Sequence, residues 1–413
     1  MGEGGAMRRW IVLLGCFLGL AVSTSAILMF PLGLYMKPVT AEYGWSRTQF
    51  SSVLSVVALG NIVALPLAGY AIDRFGPIRC IALGLVIACL SYAAVGQVTS
   101  YPAFLGLCTL SSAAGCLAHY PAYFTIARGW FDRNIGLALA VASAGVSIGV
   151  AGFAWLIKAT IDASGWRVAF STVAATAAVI GISSLLLFVR SNRGVLPAAE
   201  QLPTQSENLA NDATLGEALR SRDYWLFTLG FALIVFAGAG PNLHLPALMA
   251  DSGAGSAATA AAVAALPLGS LGGRVVAGLM LDRFSVRAPA ALFFGAQALG
   301  IVLLWADVRS AVLAAFLMGT AMGAELDIMG YVMARRFGRR AYARIFGTSF
   351  ALSQVGLIIS PIGMAAIFDA TGSYEIALLG YLPLSILAFV LVVLANVRPS
   401  SRGSGQAHSL ASA

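Results

Sequence analysis

Apolar residues occur along this chain in long, nearly uncharged blocks separated by short polar segments. A helix needs about 20 apolar residues to cross the ~30 Å hydrocarbon core of a bilayer, and a backbone in lipid must satisfy its own hydrogen bonds. Twelve blocks approach or exceed this length: 10–34, 50–72, 80–98, 101–127, 135–157, 167–189, 225–247, 257–281, 288–306, 311–333, 346–367 and 376–397. We therefore predict an all-α polytopic membrane protein with twelve transmembrane helices.

One polar stretch is much longer than the others and divides the chain into two sets of six helices. It covers residues 190–224 and has the Pro-, Ser-, Gln- and Asn-containing composition of an exposed linker. Near its end, the capping-box spacing of Thr214 and Glu217 predicts the start of a short helix. The predicted organisation is an N-terminal six-helix bundle (1–189), a cytoplasmic linker (190–224), a C-terminal six-helix bundle (225–397) and a disordered cytoplasmic tail (398–413).

The composition excludes a soluble protein of two or three domains. Of the 413 residues, 59% are hydrophobic and only 10% are charged, and the mean hydropathy is +0.86. Soluble domains carry about 25% charged residues, because their surfaces face water. Most of this protein's surface must face lipid instead.

The 25 Lys and Arg residues are distributed unevenly between the two sides of the predicted membrane. With the N-terminus inside, the outside loops hold only Lys37, Arg47, Lys158, Arg167 and Arg309, and the inside segments hold all the others except Arg274. This positive-inside bias predicts a bacterial-type inner (plasma) membrane protein with both termini cytoplasmic. The net charge of +8 then faces anionic membrane lipid. A nucleic-acid partner is not expected, because no basic stretch has a folded domain around it.

Two segments of the chain repeat each other at an offset of 209 residues. Residues 69–75 read GYAIDRF and residues 278–284 read GLMLDRF. Parallel six-helix repeats of this kind place a solute site near the membrane midplane, at the interface between the repeats. The pattern predicts two pseudo-equivalent halves that share one central site.

The first of these segments resembles the signature loop of the major facilitator superfamily. Residues 69–79 read GYAIDRFGPIR, residues 278–287 (GLMLDRFSVR) resemble the weaker second copy, and residues 165–167 (GWR) are similar to the start of that superfamily's sixth helix. The resemblance covers essentially the whole chain and implies two halves that rock about a central site. It also implies a latch that closes the cytoplasmic side, for which the candidates are Gly69, Asp73, Arg74, Gly76, Arg79, Asp282 and Arg283. The alternative for the charges of the first segment is a solvated loop.

Three charged side chains fall well inside the apolar blocks: Arg274, Glu325 and Asp327. Each costs at least ~2.5 kcal/mol at mid-bilayer on insertion scales, so each needs a partner or a wet cavity. An arginine there offers a forked set of donors that matches a carboxylate. Glu325 and Asp327 lie about 200° apart around one helix, so we expect them to face different directions. One acid would pair with Arg274 when the site is empty and the other would carry a proton; the alternative is a fixed structural ion pair.

A narrower resemblance concerns the monocarboxylate porters and the related oxalate/formate exchangers. Residues 130–149 (WFDRNIGLALAVASAGVSIG) resemble their fifth-helix motif, and Phe30-Pro31, residues 44–47 (GWSR), and Arg274 followed by Gly278 and Asp282 fit as well. The resemblance implies that Arg274 binds the substrate anion.

Three positions depart from the pattern of that branch. Leu32 stands where monocarboxylate porters have a lysine, and Ser270 stands where they have an aspartate one turn before the arginine. The lysine of the oxalate exchanger falls near Ser353 or Gln354. A single cationic site argues against a small dianion such as oxalate, and the usual coupling pair is missing.

Six polar or aromatic residues within the blocks are weaker candidates for contact with the solute. The histidines can also handle protons, since histidine titrates near neutrality. For each histidine the alternative is a hydrogen-bonded packing residue. The candidates are Tyr35, His119, Tyr123, Asn242, His244 and Gln354.

The sequence contains no ATP-binding P-loop, metal-ligand cluster or nucleophile–base pattern. We therefore expect no enzymatic activity, no cofactor and no metal. The predicted function is secondary active transport of a small organic anion, a monocarboxylate, by alternating access of a monomer, with protons as a coupling partner in symport or antiport. The alternatives are a multidrug or metabolite exporter on the same scaffold, and a non-transporting membrane sensor or assembly factor.

Overall fold

The structure, a computed structural model, describes residues 3–131, 134–191 and 212–395. Most of the predicted linker and the whole predicted tail (398–413) lie outside these residues. Within them, twelve helical segments are long and apolar enough to cross a membrane, and no strand occurs, which confirms the predicted fold class. We refer to them as spans 1 to 12: Met7–Met29, Ser52–Phe75, Pro77–Val95, Tyr101–Trp130, Ile135–Ser164, Trp166–Phe188, Arg222–Asp251, Ala257–Arg283, Arg287–Ala306, Val308–Phe337, Tyr342–Thr371 and Glu375–Leu394.

Spans 1 and 4 are interrupted, although their apolar blocks predict continuous helices. Span 1 changes from α-helix Glu3–Ala21 to π-helix Ser25–Met29. Span 4 consists of α-helix Tyr101–Gly115, a 3₁₀ turn, and α-helix Tyr120–Trp130. The second break follows from Pro121, which disfavours helical backbone in the residues before it. The two breaks lie against each other, since a Cβ on Gly115 would stand 2.1 Å from Thr24 Cγ2.

Spans 8 and 10 pack with their backbones in close contact. A Cβ on Gly269 or Gly273 would stand 2.1 Å from a carbonyl oxygen of span 10, and one on Gly319 or Gly323 would stand 2.0–2.2 Å from a carbonyl oxygen of span 8. Each span therefore presents a small-xxx-small pair to the other, the arrangement that lets membrane helices approach closely. This contact brings Arg274 on span 8 beside the acids of span 10.

Three apolar clusters show where the two halves meet. The largest cluster combines residues from both halves, such as Phe124 of span 4 and Phe346 of span 11. A second cluster lies within the N-terminal half, around Phe104 and Phe170, and a third lies within the C-terminal half, around Leu245 and Tyr381. The halves thus share a core at one end and have separate cores at the other.

At the end with separate cores, Glu42 connects the helix Gly33–Tyr43 to span 6 through hydrogen bonds. Arg167 Nη2 donates to Glu42 Oε1 at 2.8 Å, and Trp166 Nε1 donates to Glu42 Oε2 at 2.6 Å. These donors hold the pKa of the Glu42 carboxyl below its usual range, the arginine contributing most. Residues 165–167, noted in the sequence for their resemblance, therefore stabilise the N-terminal half.

The predicted capping box at the end of the linker is confirmed. Thr214 and Glu217 exchange side-chain and backbone hydrogen bonds at the start of helix Leu215–Leu219. Just before it, Asp212 Oδ2 accepts from Arg339 N at 2.7 Å. Arg336 also forms a salt bridge with Asp223 at 2.9 Å. The end of the linker is thus attached to the segment between spans 10 and 11.

Candidate substrate site and gate

The end of the bundle with the shared core carries Arg74, Arg128, Arg283, Arg336 and Arg344, and we call it the arginine-rich end. Two aspartates cap helices of the opposite half there. Asp73 accepts from Ala343 N and Arg344 N at 3.2 and 3.0 Å, at the start of span 11. Asp282 accepts from Gly136 N and Leu137 N at 2.8 and 2.9 Å, at the start of span 5. A carboxylate at a helix N-terminus pairs with free backbone N–H groups and with the positive end of the helix dipole.

Glycines allow these caps to form, because the backbones cross in contact beside them. A Cβ on Gly69 would stand 2.4 Å from the carbonyl oxygen of Ala343, and one on Gly136 would stand 2.7 Å from that of Gly278. Asp73 also accepts from Arg344 Nε at 3.0 Å, whereas the hydrogen bonds of Asp282 to described residues come from backbone N–H groups. The two signature copies thus make two pseudo-equivalent contacts between the halves, which we call the latches.

A third contact at this end comes from Arg128, which the sequence suggested only as a cytoplasmic charge. Its side chain is buried, and its guanidinium stacks on the Tyr342 ring with 4.0 Å between the guanidinium carbon and the ring centroid. It donates to the carbonyl oxygens of Gly338 and Arg339 at 2.8 and 3.3 Å. This arginine closes the arginine-rich end between spans 4 and 11.

The remaining gating candidates lie at the surface of this end. Arg74 donates to Tyr70 OH at 2.7 Å, and Arg74, Arg79 and Arg283 are exposed. Gly76 ends the helix of span 2 with φ of 87°, a conformation that favours glycine. Of the predicted latch, the structure therefore brings Gly69, Asp73 and Asp282 to the contact between halves.

Gly278→Val is expected to open the arginine-rich end, because a Cβ there would stand 2.5 Å from Ala140 Cβ and 2.9 Å from Gly136 O. Spin labels on Met7→Cys and Ser285→Cys, which lie at this end in opposite halves and are exposed, would report a longer distance between labels. Gly295→Val is the matched control, since its Cβ would meet nothing within 4 Å. An unchanged distance in Gly278→Val contradicts the role of this crossing.

Above the latches, five side chains from five spans reach the same depth in the bundle. They lie eight to ten residues from the arginine-rich ends of their spans, about 12–15 Å at 1.5 Å per helical residue. They are Tyr120 of span 4, Ser143 of span 5, Arg274 of span 8, Asp327 of span 10 and Phe350 of span 11. The two halves therefore meet around Arg274 as well as at the latches.

Arg274 is buried and is not fully paired. Its Nε and Nη1 atoms are buried without a hydrogen-bond partner, and among the described residues it forms no salt bridge. The Tyr120 hydroxyl and the carboxylates of Asp327 and Glu325 lie close enough to interact with it electrostatically. A cation held in this way by neighbouring charges keeps free donors for an anionic ligand.

Asp327 is fully buried and joins the two halves. Its Oδ2 atom accepts from Ser143 Oγ of span 5 at 3.0 Å, and its Oδ1 atom is buried without a partner. Glu325 is only partly buried. The two acids thus differ in surroundings, although both act on Arg274.

His119 lies at the break in span 4, between the two halves. Its Nε2 atom is 3.0 Å from Ser25 Oγ, while its buried Nδ1 atom has no partner. Its ring stacks on Phe350 at 5.8 Å between centroids, and Tyr120 meets the same ring edge-on at 6.0 Å. His119 therefore belongs to the wall around the Arg274 layer.

The structure places the other candidates as follows. Tyr35 stacks on Phe170 and its hydroxyl is 3.2 Å from that of Tyr92, within the N-terminal half. Tyr123 points towards spans 1 and 6, where its hydroxyl would be 2.3 Å from a Cβ on Gly19. These two tyrosines pack inside one half, and the structure does not bring them together with Arg274.

The remaining candidates, on spans 7 and 11, differ in their surroundings. His244 Nε2 is 3.1 Å from the carbonyl oxygen of Pro361 and its Nδ1 is 3.4 Å from Tyr374 OH, so both ring nitrogens have partners within the C-terminal half. Asn242 Oδ1 is buried without a partner. Gln354 is buried one turn after Phe350. None of the three has a described contact with Arg274.

Comparison with known proteins identifies the family. The model of the Major Facilitator Superfamily matches residues 11–305 and 230–412. The chain belongs to this superfamily. Its fold resembles that of the E. coli fucose:proton symporter FucP, with a TM-score of 0.68 at 16% identity over 95% of this chain and 100% of that one.

Two relatives confirm the narrower resemblance. The oxalate:formate antiporter of Oxalobacter formigenes is 29% identical over 206 residues, 50% of this chain and 47% of its own length. Human monocarboxylate transporter 11 is 27% identical over 380 residues, 88% of this chain and 78% of its own length. The chain is thus similar to transporters of this branch, and the match with the antiporter spans only about half of that protein.

Proposed function

We propose that this protein is a secondary active transporter of a small organic anion, a monocarboxylate, that works by alternating access, with Arg274 as the anion-binding residue. The observation that carries the proposal is the Arg274 side chain, buried between the halves with two nitrogens that lack partners. A substrate carboxylate would supply the missing acceptors through charge-assisted hydrogen bonds. The relatives of the monocarboxylate and oxalate/formate branch support the same substrate class.

Among the described residues, Arg274 is the single cation at this depth, which favours a monoanion. Leu32, which replaces the lysine of monocarboxylate porters, is buried among apolar side chains of the N-terminal half. Ser270 is buried, and a Cβ on Gly323 would stand 2.0 Å from its carbonyl oxygen, so it belongs to the contact between spans 8 and 10. A dianion would leave one of its charges without a partner, which is costly in a partly dry site.

Proton coupling is assigned to the two acids of span 10, with Asp327 as the first candidate. A substrate that occupies Arg274 competes with Asp327 and Glu325 for the same positive charge. An acid that loses this partner in a buried position is more stable when protonated. Asp327 is preferred because it is fully buried and contacts both halves.

Uptake of radiolabelled carboxylates into proteoliposomes tests the substrate class. We expect monocarboxylates to be transported and to compete with one another, and dicarboxylates to be poor substrates. Transport of amphiphilic drugs with no response to any monocarboxylate would instead support the exporter. A protein that transports neither class, although correctly inserted, would support a sensor or assembly factor.

We further propose that the arginine-rich end faces the cytoplasm, as the positive-inside rule requires, in a multi-pass inner membrane protein with cytoplasmic termini. Ser285 and Thr99 are exposed loop residues at opposite ends of the bundle. In intact cells, an impermeant thiol reagent should label Thr99→Cys and leave Ser285→Cys unlabelled until the cells are opened. The five native cysteines are buried, which limits background labelling. The reverse pattern would invert the topology.

A further inference from the structure

One hydrogen bond between the two halves lies at the depth of the proposed substrate site. Ser143 Oγ of span 5 donates to Asp327 Oδ2 of span 10 at 3.0 Å, and both side chains are fully buried. In the described part of the chain, Tyr120 and Arg274 also interact between the halves at this depth, and the hydrogen bonds of Asp73, Asp282 and Arg128 join the halves at the arginine-rich end. Ser143 thus connects the carboxylate of Asp327 to the N-terminal half by a hydrogen bond at the depth of the proposed substrate site.

The Ser143 hydroxyl has two acceptors and only one proton to donate. The carbonyl oxygen of Ala140, one turn earlier in span 5, is also 3.0 Å from Ser143 Oγ. An ionised carboxylate is the stronger acceptor, so the hydroxyl points to Asp327 while that residue is charged. When Asp327 is neutral, the contact between halves is at most a neutral hydrogen bond, and the hydroxyl retains Ala140 as a partner within its own helix.

We propose that Ser143 is a positioning residue that couples the charge of Asp327 to closure of the cytoplasmic end. The proposal rests on the proposed function only in the role that it gives to Asp327. While Asp327 is ionised, the charge-assisted bond holds span 5 against span 10 and supports the latches one to two turns below. When Asp327 takes up a proton, this bond weakens and the two halves separate more readily. Protonation of Asp327 in the substrate site thereby lowers the stability of the closed cytoplasmic end.

The surroundings of Asp327 determine the controls. The charged or titratable groups that act on Asp327, or on which it acts, are Arg274 on span 8, Tyr120 on span 4 and Tyr342 on span 11. Glu325 points in a different direction from the same helix but interacts with the same arginine. Arg274 stays protonated throughout the physiological range. Glu325 is therefore the carboxyl group whose titration must be separated from that of Asp327.

The test measures the distance between labels on Met7→Cys and Ser285→Cys in reconstituted transporter without substrate. In the parent protein, the open fraction at the cytoplasmic end is expected to rise as pH falls from 8 to 5, because protonation of Asp327 removes the charged acceptor. In Ser143→Ala, the open-to-closed ratio at pH 8 is expected to be about tenfold higher, as expected for loss of a hydrogen bond to a charged group. Its further response to pH is expected to be lost.

Three variants make the test specific. Ser147→Ala, one turn further along span 5, should keep the pH response of the parent, and Ser143→Thr should retain it because the hydroxyl is kept. Glu325→Gln should still open as pH falls, because Ser143 and Asp327 are both present, although the charge beside Arg274 has changed. A full pH response in Ser143→Ala, or its loss in a folded Ser143→Thr, would overturn the proposal. Because no substrate is present, a negative result in the carboxylate uptake assay leaves this measurement unaffected.

Discussion

Arg274→Ala is expected to lower uptake of the substrate carboxylate by about a hundredfold or more, since truncating one partner of a buried charge pair costs several kcal/mol. The guanidinium is buried between the halves with two nitrogens free, and no other Lys or Arg of the described residues lies at this depth to bind the anion in its place. Arg274→Lys should also be impaired, because an ammonium group lacks the planar fork that matches a carboxylate. The measurement is radiolabelled uptake together with equilibrium binding in detergent.

Controls separate loss of binding from loss of folding. Arg274→Ala leaves Asp327 and Glu325 without their cation, which can destabilise the protein. Arg274→Lys keeps a positive charge beside the acids, so its folded fraction should match the parent. Arg309→Ala removes an exposed arginine from the 3₁₀ turn at the start of span 10 and should change neither property. Unchanged substrate affinity in Arg274→Ala would remove the carboxylate site from this residue.

Hydrophobic blocks predict the twelve spans well, because a lipid environment leaves helices as almost the only solution for the backbone. The latch aspartates could also be found, because each lies in a segment that occurs twice. What the sequence could not show was their partners. Asp73 contacts residues 270 positions away, and Asp282 contacts backbone N–H groups that carry no residue-specific signal.

The sequence singles out only part of the group of residues that the structure brings together around Arg274, for the same reason. Arg274 and Asp327 stand out because charges are rare in apolar blocks, whereas a serine such as Ser143 in an Ala- and Gly-rich helix has no distinguishing feature. Its partner lies 184 residues away. The sequence does not show which aromatic residues face the site, since a helix in a bundle buries several of its faces. Tyr35 and Tyr123 pack inside the N-terminal half instead.

The breaks in spans 1 and 4 could not be predicted from the hydrophobic pattern alone. Both segments are apolar enough to suggest continuous helices, and Pro121 is the residue that signals the interruption of span 4. Irregular backbone at membrane depth persists where it is buried in protein or lines a cavity. The break in span 4 is where His119 and Tyr120 meet Phe350 across the interface, so the deviation from a regular helix contributes directly to the wall of the site.

Asp327→Asn is expected to abolish uphill accumulation of the monocarboxylate driven by a pH gradient, while exchange of substrate across the membrane continues. Asparagine resembles the protonated acid in size and charge, so the site can still bind the anion and move it between the two sides. The asparagine side chain cannot bind or release a proton in the physiological pH range, so the pH gradient cannot drive uptake of the anion. Glu325→Gln is the matched control, since it removes the other acid on the same helix. Accumulation and exchange are measured in parallel in the same proteoliposomes.

Charge balance gives this prediction a second, independent readout. One monocarboxylate that crosses with one proton on Asp327 moves no net charge, so parent uptake should follow the pH gradient and ignore an imposed membrane potential. Anion movement through Asp327→Asn without a proton would carry one negative charge, and net uptake should become sensitive to the potential, which acts with about 2.3 kcal/mol per charge at 100 mV. If Asp327→Asn and Glu325→Gln each still accumulate substrate on a pH gradient, neither acid is the sole carrier. His119, whose Nδ1 atom is buried and unpaired beside the same layer, is then the next residue to substitute.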